Sequence, residues 1–377
     1  MSGTGQKNRK QGVLICGAYG MRNAGDEAVL DAILAELRRI DPDMPLTVLS
    51  RDPEETARSH GVTALHSFDL LGMLRTMRRS ALYVNGGGSL IQDVTSTRSL
   101  LYYLFTLSAA HRLGCRVMMY GCGVGPVNRP ENRRLAGRII NRCVDAVTLR
   151  EEHSLDYLRA LGVTKPEINV AAEPALGLAG APAAELEALF RRLDIPMAER
   201  RFCICVRRWP GMKQKLPLFA AAADYAWRRY GMTPVILSVN QNQDDEIARD
   251  IRALISPETP AHLVTGSMTV PEVIGFLGCM DGVLAMRLHV LIFAASQSVP
   301  LVGVSYDPKV AAFLDYIEES NYIDLARLAQ AEQLYAMIDE AAGADRARLR
   351  QATERLLTME RRNGETAKRL LEEVEAP

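Results

Sequence analysis

The chain has 377 residues, 48% of them hydrophobic, with 45 basic and 45 acidic side chains and a formal net charge of zero. That length exceeds what one growing core accommodates, so two domains are expected, and the balanced charge argues against an electrostatic nucleic-acid binder. The apolar run after the polar N-terminus is too short for a signal peptide or a membrane span, which points to a cytoplasmic globular enzyme. Residues 1–11 read as a disordered N-terminus. From there, apolar runs at 12–16, 46–49, 81–85, 116–120, 146–149 and 168–171 alternate with amphipathic segments at 26–40, 99–113 and 131–143. Such alternation means βαβ units and a parallel sheet covered on both faces, here a first domain over 12–177. Residues 178–200, with Gly180 and Pro182 ahead of one helix, suit a linker. The pattern restarts over 201–342, with strands at 202–206, 234–239, 262–264, 282–285 and 301–304. Helices fall at 216–230, 244–254, 270–279, 288–296 and 310–316. A charged helical tail, 343–377, ends the chain. The fold class expected is α/β, two Rossmann-like doubly wound domains facing a cleft.

Open α/β sheets bind ligands at the carboxyl ends of their strands, and four places there carry chemistry. Gly17-Ala-Tyr19-Gly20-Met-Arg-Asn23-Ala-Gly25-Asp26-Glu27 joins the first strand to the first helix. It is neither the Gly-x-Gly-x-x-Gly of a dinucleotide fold nor a P-loop. Its two carboxylates suit a helix N-terminus as well as they suit a ligand, capping being the stronger alternative for Glu27. Asn85-Gly86-Gly87-Gly88-Ser89-Leu-Ile-Gln92-Asp93 closes the strand at 81–85 with backbone able to wrap a hydroxyl or a phosphate. Gly121-Cys122-Gly123-Val-Gly125-Pro126 closes the strand at 116–120, and Arg150 adds a cation to the same rim unless Glu151 and Glu152 make it an ordinary ion pair. In the second half, Arg287 and His289 open a helix after a buried strand, and Tyr306-Asp307-Pro308-Lys309 follows the next strand. Two cations and an imidazole beside a helix N-terminus suit a small, strongly anionic substrate.

The seven cysteines show no Cys-x-x-Cys and no Cys/His metal spacing, so no metal and no cofactor is expected. Most read as reduced core residues, and Cys122 has no charged neighbour in sequence that would activate its thiol. Arg129, Arg133, Arg134, Arg138 and Arg142 form a basic helical segment, which fits either a solvated helix face or peripheral contact with a membrane.

Taken together, the motifs at 17–28, 85–93 and 121–126, Leu149-Arg150-Glu151, Val206-Arg207-Arg208-Trp209, Met286-Arg287-Leu288-His289 and Ser305-Tyr306-Asp307-Pro308-Lys309 resemble the polysaccharide pyruvyl transferase family. The resemblance runs in order from about residue 12 to about residue 314 and is nearest to the CsaB-type branch, which pyruvylates cell-wall polymers. It implies a fold similar to the GT-B glycosyltransferases and transfer of pyruvate from phosphoenolpyruvate, the donor substrate, onto a sugar as a ketal. It also implies phosphoenolpyruvate binding by Arg150, Arg287, His289 and Lys309. The acceptor implied is a lipid-linked saccharide carrying N-acetylmannosamine, the product anchoring S-layer homology domains; this places the enzyme in the cytoplasm, at the inner face of the membrane when it meets that acceptor.

On this reading His289 is the acid or leaving-group stabiliser, Arg287 neutralises the departing phosphate, and Asp26 is the base. Tyr19, Asn23, Asn85, Gly87, Ser89, Gln92, Asp93 and Arg207 form the expected acceptor set. No nucleic-acid partner is expected, and the oligomeric state stays open. A GT-B glycosyltransferase using a nucleotide sugar and a catalytically silent regulator that binds sugar phosphates are the competing readings, since fold alone does not fix function.

Overall fold

A computed structural model describes residues 10–21, 23–94 and 96–375. In the first half it contains β1 (Val13–Cys16), α1 (Ala24–Ile40), β2 (Leu46–Ser50), α2 (Pro53–His60), β3 (Thr63–His66), α3 (Leu70–Arg79), β4 (Leu82–Gly86), α4 (Thr97–Arg112), β5 (Arg116–Cys122), α5 (Pro130–Cys143), β6 (Ala146–Leu149), α6 (His153–Ala160) and β7 (Glu167–Val170). After α7 (Ala183–Arg192) come β8 (Arg201–Cys205), α8 (Leu216–Tyr230), β9 (Thr233–Leu237), α9 (Gln241–Leu254), β10 (His262–Val264), α10 (Val270–Gly278), β11 (Gly282–Ala285), α11 (Leu288–Ser296), β12 (Leu301–Ser305), α12 (Pro308–Tyr316) and β13 (Tyr322–Asp324). The chain finishes with α13 (Ala331–Ala342), α14 (Arg346–Glu360) and α15 (Arg362–Glu375).

The first sheet has strand order β3-β2-β1-β4-β5-β6-β7 and the second β10-β9-β8-β11-β12-β13, and every strand pairs in parallel. Each order reverses once, between β1 and β4 and between β8 and β11. These are the topological switch points at which such sheets bind ligands. Both expected Rossmann-like folds are therefore present. The central strands are buried on both faces, as VLIC in β1 and GVLA in β11 require. Two strands escape the sequence pattern: β3 and β13 are edge strands, half-exposed along their length, so neither shows an unbroken apolar run. Three short helices, α2, α3 and α6, escape it as well. The Leu14, Tyr83, Val117 and Val147 face of the first sheet packs under α3, α4 and α5 through Met73, Met77, Leu104, Leu107 and Ile140.

Two compact units result. One comprises residues 1–21, 26–174 and 358–377, the other 22–25 and 175–357. The division does not follow chain order, because α15 lies on β5 and β6 of the first sheet, where Ala367 and Leu370 are buried and Arg362 donates to the carbonyl of Val170 at 2.7 Å. The segment expected as a linker, 178–200, carries α7, which packs against α10 in the second unit through Phe190 stacked on Phe276 at 5.1 Å. Of the expected disordered N-terminus, residues 1–9 lie outside the described residues, while the amide of Gln11 donates to the carbonyl of Arg79 at 2.8 Å. Among the described residues no helix is long and apolar enough to cross a membrane.

Candidate active site

In the first unit the switch point between β1 and β4 is built by glycine corners. Gly87 and Gly88 both adopt left-handed φ, 67° and 66°, and a Cβ on Gly87 would meet Val29 Cγ1 at 2.0 Å. The turn they make is tied to β5 by the Gly87 amide donating to Tyr120 and the Gly123 amide donating to Gly88, both at 2.9 Å. Asp26, in the first turn of α1, is half-buried and faces this turn, its Oδ1 lying 3.8 Å from where a Gly88 Cβ would stand. Asn85 closes β4 with no exposure, and among the described residues neither its Nδ2 nor its Oδ1 has a hydrogen-bond partner. A buried group left this way costs roughly 1–3 kcal/mol, a local conflict typical of functional sites.

Two residues of the expected acceptor set make hydrogen bonds that hold these loops. Tyr19 is 1% exposed and its hydroxyl donates to the Gly86 carbonyl at 2.8 Å, so it clamps the β1 loop to the end of β4. Asp93 accepts from the amides of Asn128 and Arg129 at 2.6 and 3.0 Å and from Asn132 Nδ2 at 2.8 Å. Although burial opposes it, these bonds hold its carboxyl below the usual range, and its role is to secure the turn into α5. Gln92 Oε1 accepts from the Val94 amide at 2.8 Å, and Ser89 Oγ accepts from Arg150 at 3.2 Å.

Arg150 lies at the end of β6 in this first unit, with the glycine corners. Its side chain is 5% exposed, donating to Glu151 at 2.7 Å and to Glu173 at 2.9 Å. Burial disfavours the charged guanidinium, but the two carboxylates hold it firmly protonated. One cation between two carboxylates is a structural knot before it is an anion receptor. Cys122 beside it is buried, and burial together with Glu151 pushes its thiol up to about 12, far from a reactive thiolate.

A buried relay supports the same loop. Glu27 accepts from the Gly20 amide at 2.9 Å and contacts His60 at 3.3 Å, and the other nitrogen of His60 meets Asp31 at 2.7 Å. Burial works against protonation of His60, yet hydrogen bonds to Asp31 and Glu27 raise its pKa to about 9. Sequence left Glu27 between capping and ligand; its acceptor capacity goes to the loop and to His60.

In the second unit the carboxyl ends of β8, β11 and β12 are neighbours, and they bring Arg207, Arg287 and Tyr306–Lys309 to one edge. Arg287 caps α11 at its N-terminus and donates to Asp244 through Nε at 2.7 Å and to Gln243 at 3.2 Å. Asp244 is fully buried and also accepts from the Arg208 amide at 3.2 Å. Its carboxyl is held above the usual range, because burial outweighs the attraction of Arg287. Sequence reasoning missed Asp244, which reads there as an ordinary acidic residue in the first turn of α9. Arg207, one of the expected acceptor set, stands in this second unit: it donates to the Tyr306 hydroxyl at 2.6 Å and lies 4.6 Å over the Tyr306 ring and 5.2 Å over Trp209. Asp307 caps α12 by accepting from the Lys309 amide at 3.1 Å, and Lys309 Nζ stands 3.6 Å from the same carboxylate. His289, half-buried in the first turn of α11, lies close against Gly25, where a Cβ would come within 2.1 Å of its Nδ1. That contact explains the glycine ahead of Asp26. The arrangement suits a multiply charged anion at a helix N-terminus, with an imidazole able to move a proton.

The family model described as Polysaccharide pyruvyl transferase matches residues 23–308, most of the chain. The chain belongs to the polysaccharide pyruvyl transferase family. Solved structures resemble this chain in fold alone. Anabaena HepE in complex with UDP and glucose superposes with a TM-score of 0.61 at 13% identity, covering 95% of this chain and 99% of that one. The UDP-GlcNAc 2-epimerase of Methanocaldococcus jannaschii gives 0.62 at 14% identity, covering 92% and 98%. A Rickettsia africae glycosyltransferase gives 0.60 at 12% identity, covering 96% and 99%. The chain thus has a GT-B-like fold, the α/β class expected from its sequence.

Proposed function

We propose that this pyruvyl transferase uses phosphoenolpyruvate as donor and forms a 4,6-ketal on a sugar, releasing phosphate. The observation that carries the reading is that Arg207, Arg287 and Lys309, with His289, follow the carboxyl ends of the neighbouring strands β8, β11 and β12. Arg287 and Lys309 bind the donor's phosphate and carboxylate by charge-assisted hydrogen bonds. Arg150, held between Glu151 and Glu173, organises the glycine corners. His289 donates a proton to C3 as the first sugar hydroxyl attacks C2 and passes its own proton to solvent. The C2–O bond to phosphate then breaks, the second hydroxyl closes the ring, and its proton leaves with the phosphate. Overall two hydroxyl protons are consumed, one by C3 and one by phosphate. No metal or cofactor takes part. The acceptor we propose is the N-acetylmannosamine of a lipid-linked cell-wall precursor, as in the CsaB-type branch whose products anchor S-layer homology domains, with the reaction on the cytoplasmic side of the membrane.

Thermal stabilisation and phosphate release test this directly. Phosphoenolpyruvate is expected to raise the melting midpoint by a few degrees when present at roughly 100 times its Kd, since about 2.7 kcal/mol is then available. Stabilisation by a nucleotide sugar together with silence toward phosphoenolpyruvate would reject pyruvyl transfer from this donor and favour glycosyl transfer.

A further inference from the structure

The whole chain is electrically neutral, yet one helical layer of the first unit is not. Helices α3, α4 and α5 together hold nine arginines against a single carboxylate, Glu131, a net charge of +8 in a chain whose formal charge is zero. Two acids stand at the helix ends with their acceptor capacity used: Asp69 caps α3 by accepting from the Gly72 amide at 2.9 Å, and Asp93 accepts from Asn132 Nδ2 on α5 at 2.8 Å. These helices are neighbours, α3 packing on α4 and α4 on α5, and they share the core beneath them. Their arginines therefore lie on one outer surface. Arg134, Arg138 and Arg142 recur every fourth residue along the exposed side of α5. Among the described residues none of the nine pairs with a carboxylate. Elsewhere the chain treats an exposed helix in the ordinary way, as on α15, where Arg369 meets Glu373 at 2.7 Å and Lys368 meets Glu372 at 3.8 Å.

Large apolar side chains stand exposed on the same surface. Leu71 is 67% exposed, Phe68 59% and Leu70 49%, and on α4 Phe105 and Leu101 are 44% and 43% exposed. They are contiguous across the helix pair, since the Phe68 ring packs edge-on against Tyr102 at 5.7 Å. Between α4 and α5, Arg112, Arg138, Arg142 and His111 line a notch of about 460 Å³. Unpaired arginines beside exposed leucines and phenylalanines, with a cationic notch of headgroup size, match the chemistry of a bilayer carrying anionic lipid.

We propose that the outer face of α3, α4 and α5 is a peripheral membrane-docking surface for anionic lipid, with Leu71 and Phe105 entering the interface and the α5 arginines lying over the headgroups. The lipid-linked acceptor proposed above supplies a purpose for it, but the surface stands on its own charge and exposure. The test is co-sedimentation of the full chain with vesicles of phosphatidylcholine alone or of phosphatidylcholine with phosphatidylglycerol. Binding is expected only with the anionic vesicles, and it should weaken as salt rises. The variant Arg134→Glu/Arg138→Glu/Arg142→Glu should lose at least about tenfold in partitioning, since each basic residue near such a surface contributes measurably. Leu71→Ser/Phe105→Ser should lose about tenfold as well, with unchanged melting, because their apolar area no longer leaves water. No binding to anionic vesicles would overturn the proposal. So would binding that ignores the Leu71→Ser/Phe105→Ser change and is matched by equal affinity for a DNA duplex, which would mark a general polyanion surface. Vesicle binding without phosphate release from phosphoenolpyruvate would sink the proposed reaction and leave the docking surface intact.

Discussion

Replacing Arg287 by alanine perturbs two things at once, and the structure allows them to be separated. Asp244 is fully buried and Arg287 is its charged partner, donating through Nε at 2.7 Å. Removing one partner of a buried pair costs on the order of 3–5 kcal/mol; because Asp244 keeps the Arg208 amide and can take up a proton, the low end, about 3 kcal/mol, applies. For a unit the size of residues 175–357, a midpoint moves by about 2–4 °C per kcal/mol, so Arg287→Ala should melt about 6–12 °C lower. The deficit should depend on pH. An unpaired buried carboxyl has a folded pKa above its unfolded value of about 3.9, so the folded state holds the extra proton. Stability is then kept at low pH and lost as pH rises through the raised folded value, and the midpoint gap between Arg287→Ala and wild type should be wider at about pH 8 than at about pH 5. Adding Asp244→Asn removes the buried charge, and the double variant should recover at least half of the lost midpoint. Turnover should not follow: both variants should release phosphate at least about 100-fold more slowly, about 2.7 kcal/mol in transition-state stabilisation. The assays are differential scanning calorimetry at the two pH values and initial-rate phosphate release. If turnover returns together with stability in the double variant, Arg287 serves only to neutralise Asp244 and has no part in transfer.

Lys309→Ala should raise the apparent KM for phosphoenolpyruvate more than it lowers kcat, since Lys309 is proposed to grip the donor; a larger fall in kcat would contradict that role. His60→Gln should cost stability that depends on pH: the folded pKa of about 9 stands above the unfolded 6.5, so the imidazolium contribution is complete below about 6.5 and gone above about 9. Equal melting deficits for His60→Gln at pH 6 and at pH 10 would remove the charge relay from the account. Treatment with a chelator should leave turnover unchanged, and activity lost with chelator and restored by magnesium or manganese would replace the metal-free mechanism.

The alternation of apolar runs with amphipathic helices, and so the two parallel sheets, was legible in the sequence. Burial period is a local property, and VLIC at 13–16 or GVLA at 282–285 announces a central strand without reference to the rest of the chain. So were the glycine corners and the Arg287–His289 pair, because the end of a strand is also a local feature. Edge strands β3 and β13 were not, since their half-exposed sides carry no continuous apolar signal. What the tertiary structure alone decided was which charges meet. Asp244 lies 43 residues before Arg287, Glu173 lies 23 residues after Arg150, and Asp31 lies 29 residues before His60. Each pairing exists only because strand order makes particular strand ends and helix turns neighbours. The same holds for the α3–α5 surface: in the sequence only the arginines of α5 read as a basic helical segment, and only the packing of α3, α4 and α5 side by side on one face of the first sheet sums their charge into a single field, because electrostatic potential adds over space and not along the chain.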